Sequence, residues 1–230
     1  MPDLAIPIVF PDYLISVPVR RRRFAIPDLL PGVDILPDTI EIPEKKHKVP
    51  ELGHAGILFI EGASGTTKYY EYGRYGGDLG AINQLIIRDV KMAASGHPTK
   101  ASLTYVLSQI SAESGQNGRI VGAYIQAPGQ FGAMLAYAHK RKLENLNPRR
   151  KPYDLFQNSC NHFMRDTMAA AGINVPWMVD PRPNSYIEEI RDDFDDLDYS
   201  RARNTLVVEN APASLAGLLS VFQQPASAAV

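Results

Sequence analysis

The sequence predicts an α+β domain, and three observations carry that prediction. Two apolar, β-rich runs in "HAGILFIEGASGTTKYYEYGRYG" flank a Gly/Ser/Thr turn and read as a β-hairpin. Three later segments repeat apolar residues at three-to-four spacing, as one face of a helix requires. The order is mainly strands first and helices afterwards.

Residues 1–50 stand apart in composition. Nine of the 18 prolines fall there, at intervals that forbid long helices and leave short extended pieces such as "LISVPV" and "VDILP". Ile6, Ile8, Val9, Phe10, Leu29, Leu30 and Ile35 lie between those prolines. A solvated linker would be poorer in such residues, so the block reads as a proline-rich arm that packs on a domain or partner. The "RRRR" run at 20–23 reads as a solvated charged turn or as an anion-binding patch.

The main domain spans 51–180 and begins near Gly53. After the hairpin, "AINQLIIRDVKM" reads as a strand or a short amphipathic piece. "KASLTYVLSQISAES" is a helix with Leu103, Val106, Leu107 and Ile110 on one face, ended by Gly115. "RIVGAYIQAP" is another strand, and "GQFGAMLAYAHKRKLEN" a helix whose basic last turn suits the dipole. The remaining 181–230 read as an acidic helix, "SYIEEIRDDFDDLDYS", and a small, apolar tail. Its aspartates lack the glycine and terminal glutamate of a calcium loop, so no metal site is assigned and no cofactor is called for.

Composition excludes several function classes. The net charge of −1 argues against a nucleic-acid binder, which carries a basic surplus. One cysteine rules out an intrachain disulfide framework. No apolar run reaches the roughly 20 residues of a membrane span, and "MPDLAIPIVFPDYL" has an acid where a secretory leader has basic residues. The expectation is a protein made in the cytoplasm, without stable membrane insertion.

The single cysteine lies in "FQNSCNHFMRDTMAAAG". Phe163, Met164, Thr167, Met168 and Ala171 mark a helix, and Gly172 sits where a C-terminal cap belongs. Cys160 falls in its first turn, where unpaired N–H groups and the helix dipole favour a thiolate. A free cysteine is also a common core residue, so position alone leaves both readings open. A nucleophilic cysteine needs a base, and the base an orienting group. His162 follows by two residues and points away from Cys160 on a helix. His54 opens an apolar strand after a glycine, where an imidazole stands at the rim of a sheet. Glu71 is the one carboxylate of the next strand, among Tyr69, Tyr70, Tyr72 and Tyr75. It pairs with His54, directly or one step away, or with Arg74 as a rim charge. Tyr70 and Tyr72 are the alternatives for the orienting role, or line a substrate groove.

"HAGILFIEG…KYYEYG" followed by "NSCNHF" resembles the circularly permuted NlpC-type papain-like hydrolases, in which the histidine strand precedes the cysteine helix. The lecithin:retinol acyltransferase group of that superfamily carries Asn-Cys-Glu-His-Phe, from which this chain departs at Ser159 and Asn161. The proline-rich start leading into "LGHAG" and "TKYYEYGRY" is similar to NlpC-type effectors of type VI secretion. The resemblance implies His54 as base, Glu71 as orienting group and Cys160 as nucleophile, with Tyr70, Tyr72, Asn158 and Asn161 at the substrate. It implies an antiparallel sheet packed on helices and a thiol hydrolase cutting cell-wall peptides as an antibacterial toxin. Delivery to the target-cell periplasm would need a secretion-machine carrier, and the producer a cognate immunity protein. A lipid or acyl-group enzyme with the same Cys–His site and a non-catalytic adaptor are the readings from other classes.

Overall fold

The computed structural model of the chain describes residues 1–14, 22–25, 39–42, 53–75 and 79–209. Its centre is a seven-stranded antiparallel sheet whose strands are β1 (Leu4–Phe10), β4 (His54–Ile60), β5 (Thr67–Gly73), β6 (Ala81–Leu85), β7 (Ile120–Gln126), β8 (Asp195–Ser200) and β9 (Thr205–Glu209). Their spatial order is β6-β5-β4-β1-β7-β8-β9. A separate two-stranded ladder pairs β2 (Arg22–Ala25) with β3 (Thr39–Ile42). "LISVPV" after Leu14, "VDILP", the first half of the "RRRR" run and the tail after Glu209 lie outside the described residues.

Helices cover both faces of the sheet. Ala5, Val9, Ala55, Ile57, Phe59, Tyr70 and Tyr72 face α2 (Phe131–Leu143), α3 (Cys160–Ala170) and α4 (Pro183–Arg191). Leu4, Ile6, Ile8, Phe10, Leu58, Ile60 and Tyr69 face the opposite way, against Leu103, Val106, Leu107 and Ile110 of α1 (Lys100–Glu113). Burial on two faces explains why β1 and β4 read as continuous apolar runs instead of alternating ones. The α+β class, the hairpin, β7, α1, α2 and α3 stand where the periodicity put them.

Two parts of the chain differ from the sequence reading. Leu4–Phe10, assigned above to the arm, forms a central strand between β4 and β7 with every residue buried. Pro7 cannot donate to a ladder. Bridges between β1 and β7 stop at Ala5↔Ile125 and resume at Ile8↔Gly122, so Pro7 falls in the gap. Gly122 lets the strands close there: a Cβ on it would stand 2.5 Å from the Pro7 carbonyl oxygen. The second difference is "DDLDYS", read as a helix and found as β8. Leu197 and Tyr199 point into the core, while Asp196 and Asp198 point outward and both accept from Arg191 Nη2 (2.6 and 2.9 Å). The helix itself ends at Arg191.

Candidate active site

Cys160 is the first residue of α3, and Ser159 is its N-cap. The cap is unusual in using a histidine. Ser159 N–H donates to His162 Nδ1 (3.4 Å), and the Ser159 hydroxyl meets the same nitrogen (2.8 Å). His162 is thereby occupied on the far side of the turn, which frees the site for a base from another element. That base position is filled by His54, the first residue of β4, which α3 packs against. Gly53 before it has φ +63°, a conformation glycine adopts without steric cost.

Strand register decides how Glu71 reaches His54. Glu71 stands opposite Gly56, two residues along from His54 on the same face of the sheet. Gly56 leaves room for the Tyr69 hydroxyl, which a Cβ there would strike, and the Glu71 carboxylate accepts from His54 Nε2 at 3.2 Å. The carboxylate is fully engaged. Oε2 also accepts from the Tyr69 hydroxyl (3.0 Å), and Oε1 from Asn83 Nδ2 (3.0 Å) and the Ser114 hydroxyl (3.1 Å). The Tyr75 hydroxyl lies 3.0 Å from His54 Nε2. With Nε2 committed to these groups, Nδ1 is the ring nitrogen left for the sulfur, to which His54 is hydrogen-bonded.

The electrostatics follow from this geometry. Burial pushes the Cys160 thiol up, but the hydrogen bond and charge of His54, the Ala55 amide and the Tyr153 hydroxyl pull it down, and it ends below the ordinary thiol range. Burial pulls His54 down, and the sulfur and Glu71 outweigh it, raising the imidazole to about 10. Glu71 is likewise pushed up by burial, yet His54, Asn83 and Tyr75 bring it below the usual carboxylate range. Each group favours the charged form of its neighbour, which is the direction a thiolate–imidazolium pair backed by a carboxylate requires.

Three tyrosines cover the pair, leaving Cys160 2 % and His54 8 % exposed. The Tyr153 hydroxyl lies 3.8 Å from Cys160 Sγ, and its ring stacks on Tyr72 with the Arg74 guanidinium on it (5.0 Å). The Tyr13 ring lies over the imidazole, centroid to centroid 5.0 Å. Tyr75 completes the rim.

With this geometry in view, the chain can be compared with known proteins. The family model for TseH-like type VI secretion system effectors matches residues 5–175. The chain belongs to that family. The crystal structure of the type VI secretion system effector TseH matches with a TM-score of 0.72 at 32% identity, over 91% of this chain and 98% of that one. No curated protein sequence matches the chain.

In this TseH-like effector, the structure brings together Cys160, His54 and Glu71, as the sequence reading expected. It gives the four residues assigned to substrate other places. Tyr70 is buried on the α2 side, stacked on Phe59, and Glu71 takes the orienting position instead. Tyr72 is buried beneath Tyr153 and accepts from Asn158 Nδ2 (2.8 Å). Asn158 Nδ2 also donates to the Lys151 and Pro152 carbonyls, and its Oδ1 accepts from Arg141 Nη2. Asn158 thus fixes the segment that carries Tyr153. Asn161 is fully buried and donates to the Pro181 carbonyl. All four are buried, as are Cys160 and His54 themselves. Sequence reasoning missed Tyr13, Tyr153, Asn83 and Ser114; none lies in a motif, and each arrives through the fold. Among the described residues, no cluster of His, Cys, Asp or Glu could hold a metal, and no helix is long and apolar enough to cross a membrane.

Proposed function

We propose that this effector is a cysteine hydrolase of the permuted papain-like type that cleaves amide bonds in peptidoglycan peptides. The observation that carries the reading is the Cys160–His54–Glu71 chain: a helix-start sulfur bonded to an imidazole whose Nε2 is held 3.2 Å from a carboxylate. A packed thiol has no use for a buried imidazole with its own buried carboxylate.

The Cys160 thiolate attacks the amide carbonyl carbon, and the carbonyl oxygen takes up negative charge. The Cys160 backbone N–H, which meets the Tyr153 hydroxyl, and that hydroxyl itself, 3.8 Å from the sulfur, turn to that oxygen and stabilise it. His54 gives its proton to the leaving amine, the C–N bond breaks, and an acyl thioester remains on Cys160. A water, deprotonated by His54, attacks the thioester, releasing a carboxylic acid and restoring the thiolate–imidazolium pair. Glu71 holds the ring with Nε2 inward through both steps. Type VI delivery takes the enzyme to a neighbouring cell, where the substrate is cell-wall peptide, and the producer is guarded by an immunity protein.

The test is digestion of purified peptidoglycan by wild type and Cys160→Ala, with products read by mass spectrometry. New peptide fragments from the wild type alone support the reading and identify the bond. Equal fragments from both, or none from a wild type whose thiol reacts rapidly with iodoacetamide, would end it as stated and leave acyl or lipid substrates to be tried.

A further inference from the structure

Cys160 and His54 are almost wholly covered, so no substrate carbonyl reaches the sulfur in this arrangement. One of the three covering tyrosines must move. Tyr153 is held by Tyr72, Arg74 and, through its chain, Asn158. Tyr75 is bonded to His54, and its hydroxyl also meets Glu71. Tyr13 differs, because it sits in a short turn just past the end of β1.

Tyr13 N–H donates to the Phe10 carbonyl (3.2 Å) and Asn184 Nδ2 to that of Pro11 (3.5 Å); beyond these, the turn is secured by a side chain distant in sequence. Gln116 Oε1 accepts from the Leu14 N–H, and Gln116 Nε2 donates to the Leu14 carbonyl, both at 2.9 Å. The same amide meets the Tyr13 hydroxyl. One glutamine thus imitates a strand partner for the residue after Tyr13 and also touches Tyr13 itself. An exposed Asp12–Arg119 pair (3.4 Å) adds little.

Gln116 is held in place at a conformational cost. It and Asn117 have φ of +53° and +61°, the left-handed region that non-glycine residues seldom occupy. The turn is closed by Asn117 N–H donating to the Ser111 carbonyl (2.8 Å) and Gly118 N–H to that of Gly115 (2.8 Å). Two turn residues in this region, beside flanking glycines that would accept it freely, mark a position kept for what its side chain does. The same turn supplies Ser114, whose hydroxyl holds Glu71. The end of α1 therefore reaches the covering ring and the orienting carboxylate at once.

We infer that Gln116 is a clasp that holds Tyr13 closed over Cys160 and His54, and that substrate enters when the clasp opens and the Asp12–Leu14 turn swings out. Gln116 acts through Tyr13 and is a positioning residue. The inference rests on Cys160 being the nucleophile, but its test does not depend on hydrolysis.

The single cysteine makes the test direct, since every labelled thiol is Cys160. Alkylation rates are measured with small iodoacetamide and with bulky fluorescein maleimide, for wild type, Gln116→Asn and Tyr13→Phe. Asparagine tolerates the left-handed backbone but is too short to bridge Leu14; phenylalanine keeps the ring and removes its bond to Gln116. The bulky reagent should react roughly tenfold faster with Gln116→Asn, and several-fold faster with Tyr13→Phe, the scale of losing hydrogen bonds that hold a closed state. Iodoacetamide, which must also pass the cover, should accelerate by no more than the bulky reagent. Unchanged bulky-reagent rates in both variants would overturn the inference, as would a larger acceleration of iodoacetamide. Should Gln116→Asn lose its native circular dichroism, Tyr13→Phe decides alone by its bulky-reagent rate. Intact peptidoglycan would sink the hydrolase reading while leaving these rates, and the clasp, standing.

Discussion

Glu71 lies opposite Gly56 in the β4–β5 ladder, yet its carboxylate is bonded to His54, two residues away. Gly56 leaves room for the Tyr69 hydroxyl, which also bonds that carboxylate. The direct cross-strand partner of His54 would be Gly73, the last residue of β5, whereas Glu71 lies within the strand and is held by Tyr69, Asn83 and Ser114 as well. Glu71 thus has three partners besides His54.

Replacing Glu71 by Gln keeps the shape and removes the charge. The expected result is a fall in kcat/KM on the order of 10²–10⁴, the range for an orienting carboxylate lost beside a catalytic imidazole. The His54 pKa, followed by NMR of the ring protons, should drop from its raised value. An unchanged His54 titration would show that Glu71 does not set the imidazole's charge.

The ionisation of the pair predicts the pH profile. Cys160 is lowered, so its thiolate is lost only as pH falls below the ordinary thiol range. His54 is raised to about 10, so the imidazolium that protonates the leaving amine persists until pH approaches that value. Iodoacetamide alkylation should therefore be fast and nearly flat through neutral pH. Hydrolysis should show an alkaline limb near 10 and an acid limb set by the thiol. A single inflection at an ordinary thiol pKa would mean that no ion pair forms.

Asn158 serves Tyr153 at a distance. Asn158→Ala removes donors to Tyr72, Lys151 and Pro152 and leaves Arg141 short of a partner. The cost should be about 1–3 kcal/mol in urea unfolding, the scale for buried polar groups left unpaired. Activity should fall further than stability alone explains, because Tyr153 is no longer fixed beside the sulfur. Wild-type stability in this variant would contradict the bonding described.

Ile8 distinguishes a strand from an arm. As a fully buried residue of β1, its change to Ala should cost about 2–5 kcal/mol. A residue of a solvated arm would cost within roughly 0.5 kcal/mol. The midpoint of chemical denaturation decides between them.

His54, Glu71 and Cys160 were legible because each is the only residue of its kind in a strongly patterned element: a histidine at a strand start, a carboxylate among tyrosines, a cysteine at a helix start. Tyr13 was not, since it follows a strand that the composition of residues 1–50 assigned to an arm. Pro7 is accommodated by a gap in a ladder that only the fold reveals. β8 was hidden for a different reason: five acids in "DDFDDLDYS" outweighed the alternation of Leu197 and Tyr199, and Arg191, which neutralises two of them, belongs to the preceding helix. The roles of Tyr70, Tyr72, Asn158 and Asn161 depend on which way each side chain points, which spacing along one segment does not fix.

The sheet's strand order also governs when the chemistry can exist. β1, the first strand in the chain, pairs with β4 and β7, and the thiolate depends on an imidazole and an amide from β4 reaching the start of α3. These contacts join distant parts of the chain. Until they close, Cys160 is an ordinary thiol, without the neighbours that lower it. The depressed thiol is thus a property of the finished sheet and not of the α3 segment by itself.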